Sequence, residues 1–424
     1  MDNPSNIPSF LRDKSAEQPD AAGRATILQI IPELETGGAE LSTVEIAEAI
    51  VRAGGRAIVL SEGGRLVETL TKVGGEYHFM EAATKNPAKI LMNAQRIAKL
   101  CAAEGVDLVH ARSRAPAWSA RIAAKRAGVP FVTTYHGAYN EKGRIKNWYN
   151  SVMASGDVVI ANSKYTRDLI KARYGTDDSK LRVIYRGIEG SVFDPDAVDP
   201  SRVSALLAAW GLKPDERVIL NAARLTSWKG QTVLIQAARL LKDRGALDGC
   251  RLVLAGDAQG RTDYVQGLKT QISDAGLDDT IVFAGHVTDM PAALKLAHIA
   301  VVASTEPEAF GRAAAEAQIM RCPVVATDIG APPETVLSHP NVPDYVATGW
   351  LVPPSEPGAM AGAIAAALGL STDGRTEMGD RARAHVLASF SLNAMKQQTL
   401  GVYDQLLGTR LEAAFTESAP RKAP

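Results

Sequence analysis

The 424-residue chain is poor in cysteine, poor in aromatics and without net charge, and each shortage removes a class of protein. Its three cysteines, Cys101, Cys250 and Cys322, lie far apart, with no paired spacing for zinc and no even count for a disulfide framework. A reducing, cytoplasmic setting is the plain reading. Lys and Arg number 47, Asp and Glu also 47, so the surface as a whole is not built for nucleic acid. No apolar run approaches the roughly 18 residues that span a bilayer, and any membrane contact is expected from the surface. Residues 1–24 are polar and proline-bearing without the apolar centre of a signal peptide, and read as a disordered leader; residues 416–424 read as a disordered tail.

What the chain does have is a rhythm. Short β-branched runs alternate with longer Ala- and Leu-rich stretches of helical period. The first half contains "ATILQII", "RAIVLS", "VDLVHAR", "FVTTYH", "DVVIANS" and "LRVIYRGI". The second contains "RVILNAAR", "RLVLAG", "TIVFAGHV", "HIAVVAS", "PVVATDIG" and "GWLVPP". Nearly continuous apolar runs mark strands buried on both faces, hence parallel sheets covered by helices. An Asp- and Pro-rich stretch, "GSVFDPDAVDPSR", separates the halves. The chain therefore reads as two doubly wound α/β domains, 25–195 and 196–390, whose carboxyl strand edges face one another across a cleft. Residues 391–415 read as helices that pack back on the first domain.

Three stretches could carry chemistry. Gly37 and Gly38 stand at the first strand-to-helix turn, where backbone amides and a helix N-terminus can approach an anion. A plain tight turn would look the same, and the pattern is not G-x-G-x-x-G. Arg224 and Lys229 flank a loop after the first strand of the second half, where two cations would neutralise a diphosphate; a solvated loop is the alternative. In "EPEAFGRAAAE" the strand ends before Glu308-Ala309-Phe310-Gly311, with a helix expected over Ala313–Met320. Gly311 allows close approach, the amides of Phe310 and Gly311 point to the helix N-terminus, and Glu308 and Glu316 could each hold a pair of sugar hydroxyls.

The E-x7-E run from Glu308 to Glu316, the R-x4-K of Arg224 and Lys229, and the Gly37-Gly38 turn with Glu40 together resemble retaining glycosyltransferases of family 4. The likeness runs from about Thr26 to about Pro353. It implies the GT-B fold, two facing Rossmann-like domains, and a nucleotide-sugar donor. It further implies that Arg224 and Lys229 hold the donor diphosphate, Glu308 the transferred sugar and Glu316 the ribose. The amides of Ala309, Phe310 and Gly311 would orient the sugar, Gly37-Gly38 would meet the phosphates, and the backbone of His286 and Val287 would meet the base. His136, at a strand end in "TTYHGAY", resembles the family histidine facing the reacting sugar. No Asp-x-Asp stands within these motifs and no His/Cys cluster is apparent, so no metal and no cofactor is expected beyond the donor, GDP-mannose or a UDP-sugar.

Acceptor choice belongs to the first domain on this reading. From Arg112 to Arg186 there are 15 cations against 5 acids. Arg112, Arg114, Arg144, Lys146 and Trp148, with Tyr139 and Lys142 nearby, form a candidate patch for an anionic glycolipid, oligosaccharide or the inner membrane leaflet. Solvated helix faces would give the same count. The segments "SRAPAW", "TTYHGAYN" and "YNSVMASGD" are similar to bacterial transferases of lipopolysaccharide-core synthesis. Rival readings are a nucleotide-sugar epimerase of the same fold, a nicotinamide-dependent oxidoreductase using Gly37-Gly38, and a non-catalytic glycan- or membrane-binding protein.

Overall fold

The computed structural model describes residues 24–35, 37–137 and 143–418. The expected leader up to residue 23, the last residues from 419, and Tyr139 and Lys142 lie outside the described residues. The first half runs β1 (Thr26–Ile30), α1 (Gly38–Arg52), β2 (Arg56–Ser61), α2 (Val67–Lys72), β3 (Glu76–Phe79), α3 (Pro87–Glu104), β4 (Leu108–Ala111), α4 (Arg114–Ala127), β5 (Phe131–Tyr135), α5 (Arg144–Asn150), β6 (Val158–Ala161), α6 (Lys164–Tyr174) and β7 (Leu181–Val183). The second half runs α7 (Pro200–Ala209), β8 (Arg217–Ala222), α8 (Gln231–Asp243), β9 (Cys250–Ala255), α9 (Thr262–Asp274), β10 (Ile281–Gly285), α10 (Met290–Leu296), β11 (Ala297–Val302), α11 (Arg312–Ile319), β12 (Val324–Thr327), α12 (Pro332–Thr335) and β13 (Gly349–Val352). Four helices follow: α13 (Pro357–Leu368), α14 (Thr372–Ser389), α15 (Leu392–Leu407) and α16 (Leu411–Glu417).

All twelve apolar runs are strands. The thirteenth strand, β3, escaped notice because it is a sheet edge: Glu76 to His78 are half-buried and Phe79 is exposed, so it lacks the continuous apolar signature. The first sheet has the order β3-β2-β1-β4-β5-β6-β7 and the second β10-β9-β8-β11-β12-β13. Every pairing is parallel. In each sheet the winding reverses between the first and fourth strands, β1/β4 and β8/β11, and the loops beyond their carboxyl ends open a crevice there. The molecule is thus two Rossmann-like domains with helices on both faces of each sheet.

The chain crosses between domains twice, side by side. The amide of Ile188 donates to Phe390 (2.8 Å) and that of Leu392 to Ile188 (3.1 Å). A Cβ on Gly187 would sit 2.3 Å from Leu392 Cα, so only glycine fits where the strands meet. After the second crossing α15 and α16 lie on α1 of the first domain. Leu392, Met395, Leu400, Tyr403, Leu411 and Phe415 complete that domain's core, and buried Lys396 pairs with Glu48 at 2.6 Å. Tyr403 reaches the sheet itself: its hydroxyl lies 2.7 Å from His110 Nδ1, while Thr134 Oγ1 lies 2.7 Å from Nε2. All three cysteines are buried, and burial pushes their thiols up, Cys101 to about 11 and Cys322 to about 12.

Candidate active site

On the second domain, the chain leaves β8 through Arg224 and makes a 3-10 turn at Ser227–Lys229 that ends on Gly230. Gly230 has φ +70, and a Cβ there would lie 1.8 Å from the carbonyl oxygen of Ala303, so the turn is pressed against the end of β11. Gln231 fixes it further, donating to the Arg224 carbonyl at 3.0 Å. Lys229 Nζ sits 4.3 Å above the Trp228 ring and donates to Glu308 Oε1 at 2.6 Å. Ser304 Oγ donates to the same oxygen of Glu308, which is buried.

Phe310 and Gly311 fix the loop that begins at Glu308. The Phe310 ring is buried, 5.6 Å from Phe390 and 6.3 Å from Tyr185, and anchors the loop to the crossing between the domains. Gly311 has φ +83 and starts α11 in a conformation that side chains resist. The carbonyl of Glu308 accepts from Ala331 at 2.9 Å. Glu316 lies one turn into α11, where Arg312 Nε donates to its Oε1 at 2.6 Å. Burial works against the charge of Arg312, and the Glu316 carboxylate more than restores it, leaving its pKa above the ordinary value.

The first domain supplies the opposite wall. Gly37 caps α1, and a Cβ on Gly38 would meet Arg186 Nη1 at 2.1 Å. Arg186, just beyond β7, lies with Nη2 2.9 Å from His136 Nδ1. Burial first, then the neighbouring Arg312 and Arg112, push Arg186 down to about 10. Burial, Arg186, Arg112 and His110 hold His136 well below the usual histidine range, so its ring is neutral at pH 7. Its Nε2 is enclosed and has no hydrogen-bond partner among the described residues, nor has Arg186 Nε. Glu45 lies beneath, its pKa raised by burial against the pull of four cations.

These pieces share one space. A cavity of about 760 Å³ between the domains is lined by Gly37, Gly38, Glu40, Arg186, Arg224, Trp228, Lys229, Gln259, Glu308, Arg312 and Glu316. A neighbouring one of about 520 Å³ joins His136 and Asn162 to Arg186, Arg224 and the loop Glu306–Arg312. Arg224, Lys229, Glu308 and Glu316 therefore converge on a common cleft, with the glycine turn across from them. His286 and Val287 lie at the end of edge strand β10 and line neither cavity. Residues that none of the three motifs singled out also reach the cleft, among them Arg186, Arg312 and Trp228. Only Arg312 left a sequence signal, its i,i+4 spacing to Glu316 on α11.

The expected basic patch divides. Arg112 is 3% exposed, donates to Ser42 Oγ at 2.7 Å, and is pushed down to about 10 chiefly by burial; it belongs to the floor beneath the cleft and not to a surface patch. Arg114 is half-buried and bonded to Asn150 at 2.8 Å. Both correct the surface reading, because counting charges along the chain says nothing about which side of a helix or strand they occupy. Arg144, Lys146 and Trp148 are exposed on α5, with Ile145 at 83% and Trp148 at 63%, the latter stacked on Trp118 at 4.7 Å. Among the described residues no cluster of three or more His, Cys, Asp or Glu is placed to hold a metal ion, and no helix is long and apolar enough to cross a membrane.

Comparison with known proteins agrees with this architecture. The family model Glycosyltransferase Family 4 matches residues 36–191, and Glycosyl transferases group 1 matches residues 204–385. A glycosyltransferase structure from Rickettsia africae superposes with a TM-score of 0.82 at 35% identity, covering 92% of this chain and 100% of that one. HepE of Anabaena, solved in complex with UDP-glucose, gives 0.75 at 25% identity over 90% of this chain and 100% of that one. The D-inositol 3-phosphate glycosyltransferase of Jonesia denitrificans is 27% identical over 420 residues, 90% of this chain and 93% of that protein. Two domain models in order, one on each sheet, and a full-length relative above 30% identity leave a single conclusion: the chain belongs to glycosyltransferase family 4 and carries the two-domain GT-B fold.

Proposed function

We propose that the protein transfers a hexose, with retention of configuration and without a metal ion, from a nucleoside-diphosphate sugar to an anionic acceptor of the cell envelope. The observation that carries this is the convergence of Arg224, Lys229, Glu308 and Glu316 on one cleft facing Gly37 and Gly38. Arg224 and Lys229 offset the charge that grows on the leaving diphosphate, aided by the amides at the start of α1 and α11. Glu308 holds hydroxyls of the transferred sugar, and donor binding draws Lys229 from its pairing with Glu308 toward phosphate. Glu316 holds the ribose while Arg312 orients it. His136 presents neutral Nε2 to the reacting sugar. The bond from C1 to the phosphate oxygen breaks, one from C1 to the acceptor oxygen forms, and the acceptor hydroxyl's proton passes to the departing diphosphate. Closure of the two domains aligns the acceptor and keeps water from taking its place.

The donor is read as a UDP- or GDP-hexose; the UDP-glucose bound by HepE favours UDP. A lipopolysaccharide-core or related glycolipid acceptor fits α5, whose Arg144, Lys146, Ile145 and Trp148 would rest on an anionic inner leaflet. One observation favours a second acceptor, a small phosphorylated polyol of the kind named for the inositol-phosphate relatives: Arg112 and Arg186 gather at the cleft floor above the single buried carboxylate of Glu45, beside Arg312, which is already held by Glu316. The test is a panel of nucleotide sugars read first by thermal shift and then by product NMR, with and without EDTA. A stabilising shift with one nucleotide sugar, and an axial or equatorial anomeric bond matching the donor's, is expected. A shift with NAD and with no nucleotide sugar would return the site to dinucleotide redox chemistry.

A further inference from the structure

Behind the cleft, a single carboxylate joins the two domains. Glu334 projects from α12 of the second domain onto the start of α6 in the first. Its Oε2 accepts from the amide of Lys164 and from the Tyr185 hydroxyl, both at 2.8 Å, and its Oε1 accepts from the amide of Tyr165 at 2.7 Å. Those amides are first-turn donors with no partner inside α6, at the end of the helix that favours negative charge. One residue on, Thr166 Oγ1 donates to the carbonyl of Ala309 at 3.2 Å, beside Glu308. On the other side of that loop, Gly330 bridges to Glu308, and a Cβ on Gly330 would lie 2.4 Å from the Glu308 carbonyl oxygen. Tyr185 also packs edge-on against Phe390 at 5.0 Å, where the chain crosses between domains. The loop carrying Glu308 is thus held between α12 behind and α6 in front, and Glu334 fastens those two together.

We infer that Glu334 is a positioning residue that couples closure of the domains to the placement of Glu308. In an opened molecule Glu334, the two α6 amides and the Tyr185 hydroxyl would all face water. Closing replaces that water by three charge-assisted bonds and brings Thr166 onto the carbonyl of Ala309. Closure and loop placement are then a single event. The inference rests on Glu308 acting on the donor sugar, and its test separates the two ideas. Spin labels on Lys99→Cys of α3 and Lys269→Cys of α9, both exposed, report the distance between domains in the full chain; the three native thiols are buried and escape labelling. Glu334→Gln keeps the volume, loses the charge, and turns an NH₂ group toward one of the amides. It is expected to lengthen and broaden the distance distribution and to lower kcat about 10- to 100-fold, in the range set by losing hydrogen bonds to a charged group. Tyr185→Phe removes one of the three donors and is expected to shift both readouts the same way by less. It also serves as the test if Glu334→Gln fails to fold. Unchanged distances in both variants overturn the coupling, whatever the rate does. Lengthened distances with an unchanged kcat keep the latch and overturn the role of Glu308.

Discussion

The two domains share a strand order and differ in what they bury. Among the described residues the second domain encloses one charged side chain, Glu308, and brings its other cleft residues in on loops that follow β8 and β11. The first domain buries Arg112 and His110 within its sheet and takes Lys396 from a helix nearly three hundred residues further along. Its cleft wall is made by side chains from the ends of β4, β5 and β7 that meet only after folding. The cleft wall of the second domain is therefore built from short, ordered loops, and that of the first from an interior network of arginines and a histidine. On the proposed function, a network of that kind could be retuned for different acceptors without disturbing the half proposed to grip the diphosphate.

Substitutions on the two sides should separate these designs. The largest effect is expected from Lys229→Ala, which on the proposed function removes a cation from the leaving group and should cut kcat by about 10²-fold or more. A rate near that of wild type would take Lys229 out of the chemistry. Two glycines then give a matched pair. Gly230→Ala sets a Cβ against backbone at φ +70 and should cost about 2 kcal/mol or more in urea unfolding. Gly38→Ala meets only the end of the Arg186 side chain, so its unfolding midpoint should stay near wild type while kcat/KM falls about tenfold through displacement of Arg186. Equal stability losses in the two variants would erase the proposed difference between the domains. Replacing Arg144 and Lys146 with Ser should weaken binding to anionic vesicles and flatten its salt dependence. Unaltered binding would make α5 an ordinary solvated face.

The smallest effect concerns acid. His298 of β11 accepts from the amide of Val218 through Nδ1 at 3.3 Å, and burial, with Arg375 and Arg217, pushes it down to about 4. The unfolded chain takes up that proton near pH 6.5, the folded one only near 4, so the stability it confers is complete above about 6.5 and drains away as the pH falls to about 4. His298→Gln should give a shallower decline in urea midpoint across that window. An identical decline would assign it to the other histidines held low, His110 and His136 of the first domain and His385 of the second.

What could be read in the letters follows the same division. The twelve strands with continuous apolar runs were legible because burial on both faces leaves no polar alternation, whereas β3, at an edge, had none of that signature. Arg224, Lys229, Glu308 and Glu316 were legible through the resemblance to family 4, whose motifs keep each pair within a few residues on a single loop or helix start; spacing alone left a solvated loop open for Arg224 and Lys229. Arg186 was hidden among fifteen cations, since its approach to Gly38 and His136 spans most of the first domain. Arg112 was misread for the same reason. Glu334 offered nothing locally, its three partners being about 150 to 170 residues away.

The return of α15 and α16 to the first domain has a consequence for how the protein is made. On the ribosome the first 190 residues emerge with α1 uncovered and with His110 lacking the Tyr403 hydroxyl, so that domain cannot reach its final core while it is the only part outside the exit tunnel. The second domain has no such debt and can complete itself first. Vectorial synthesis, which ordinarily favours N-terminal maturation, is here set to finish the later half before the earlier one, and a nascent chain arrested before Leu392 should remain protease-sensitive in its opening 190 residues.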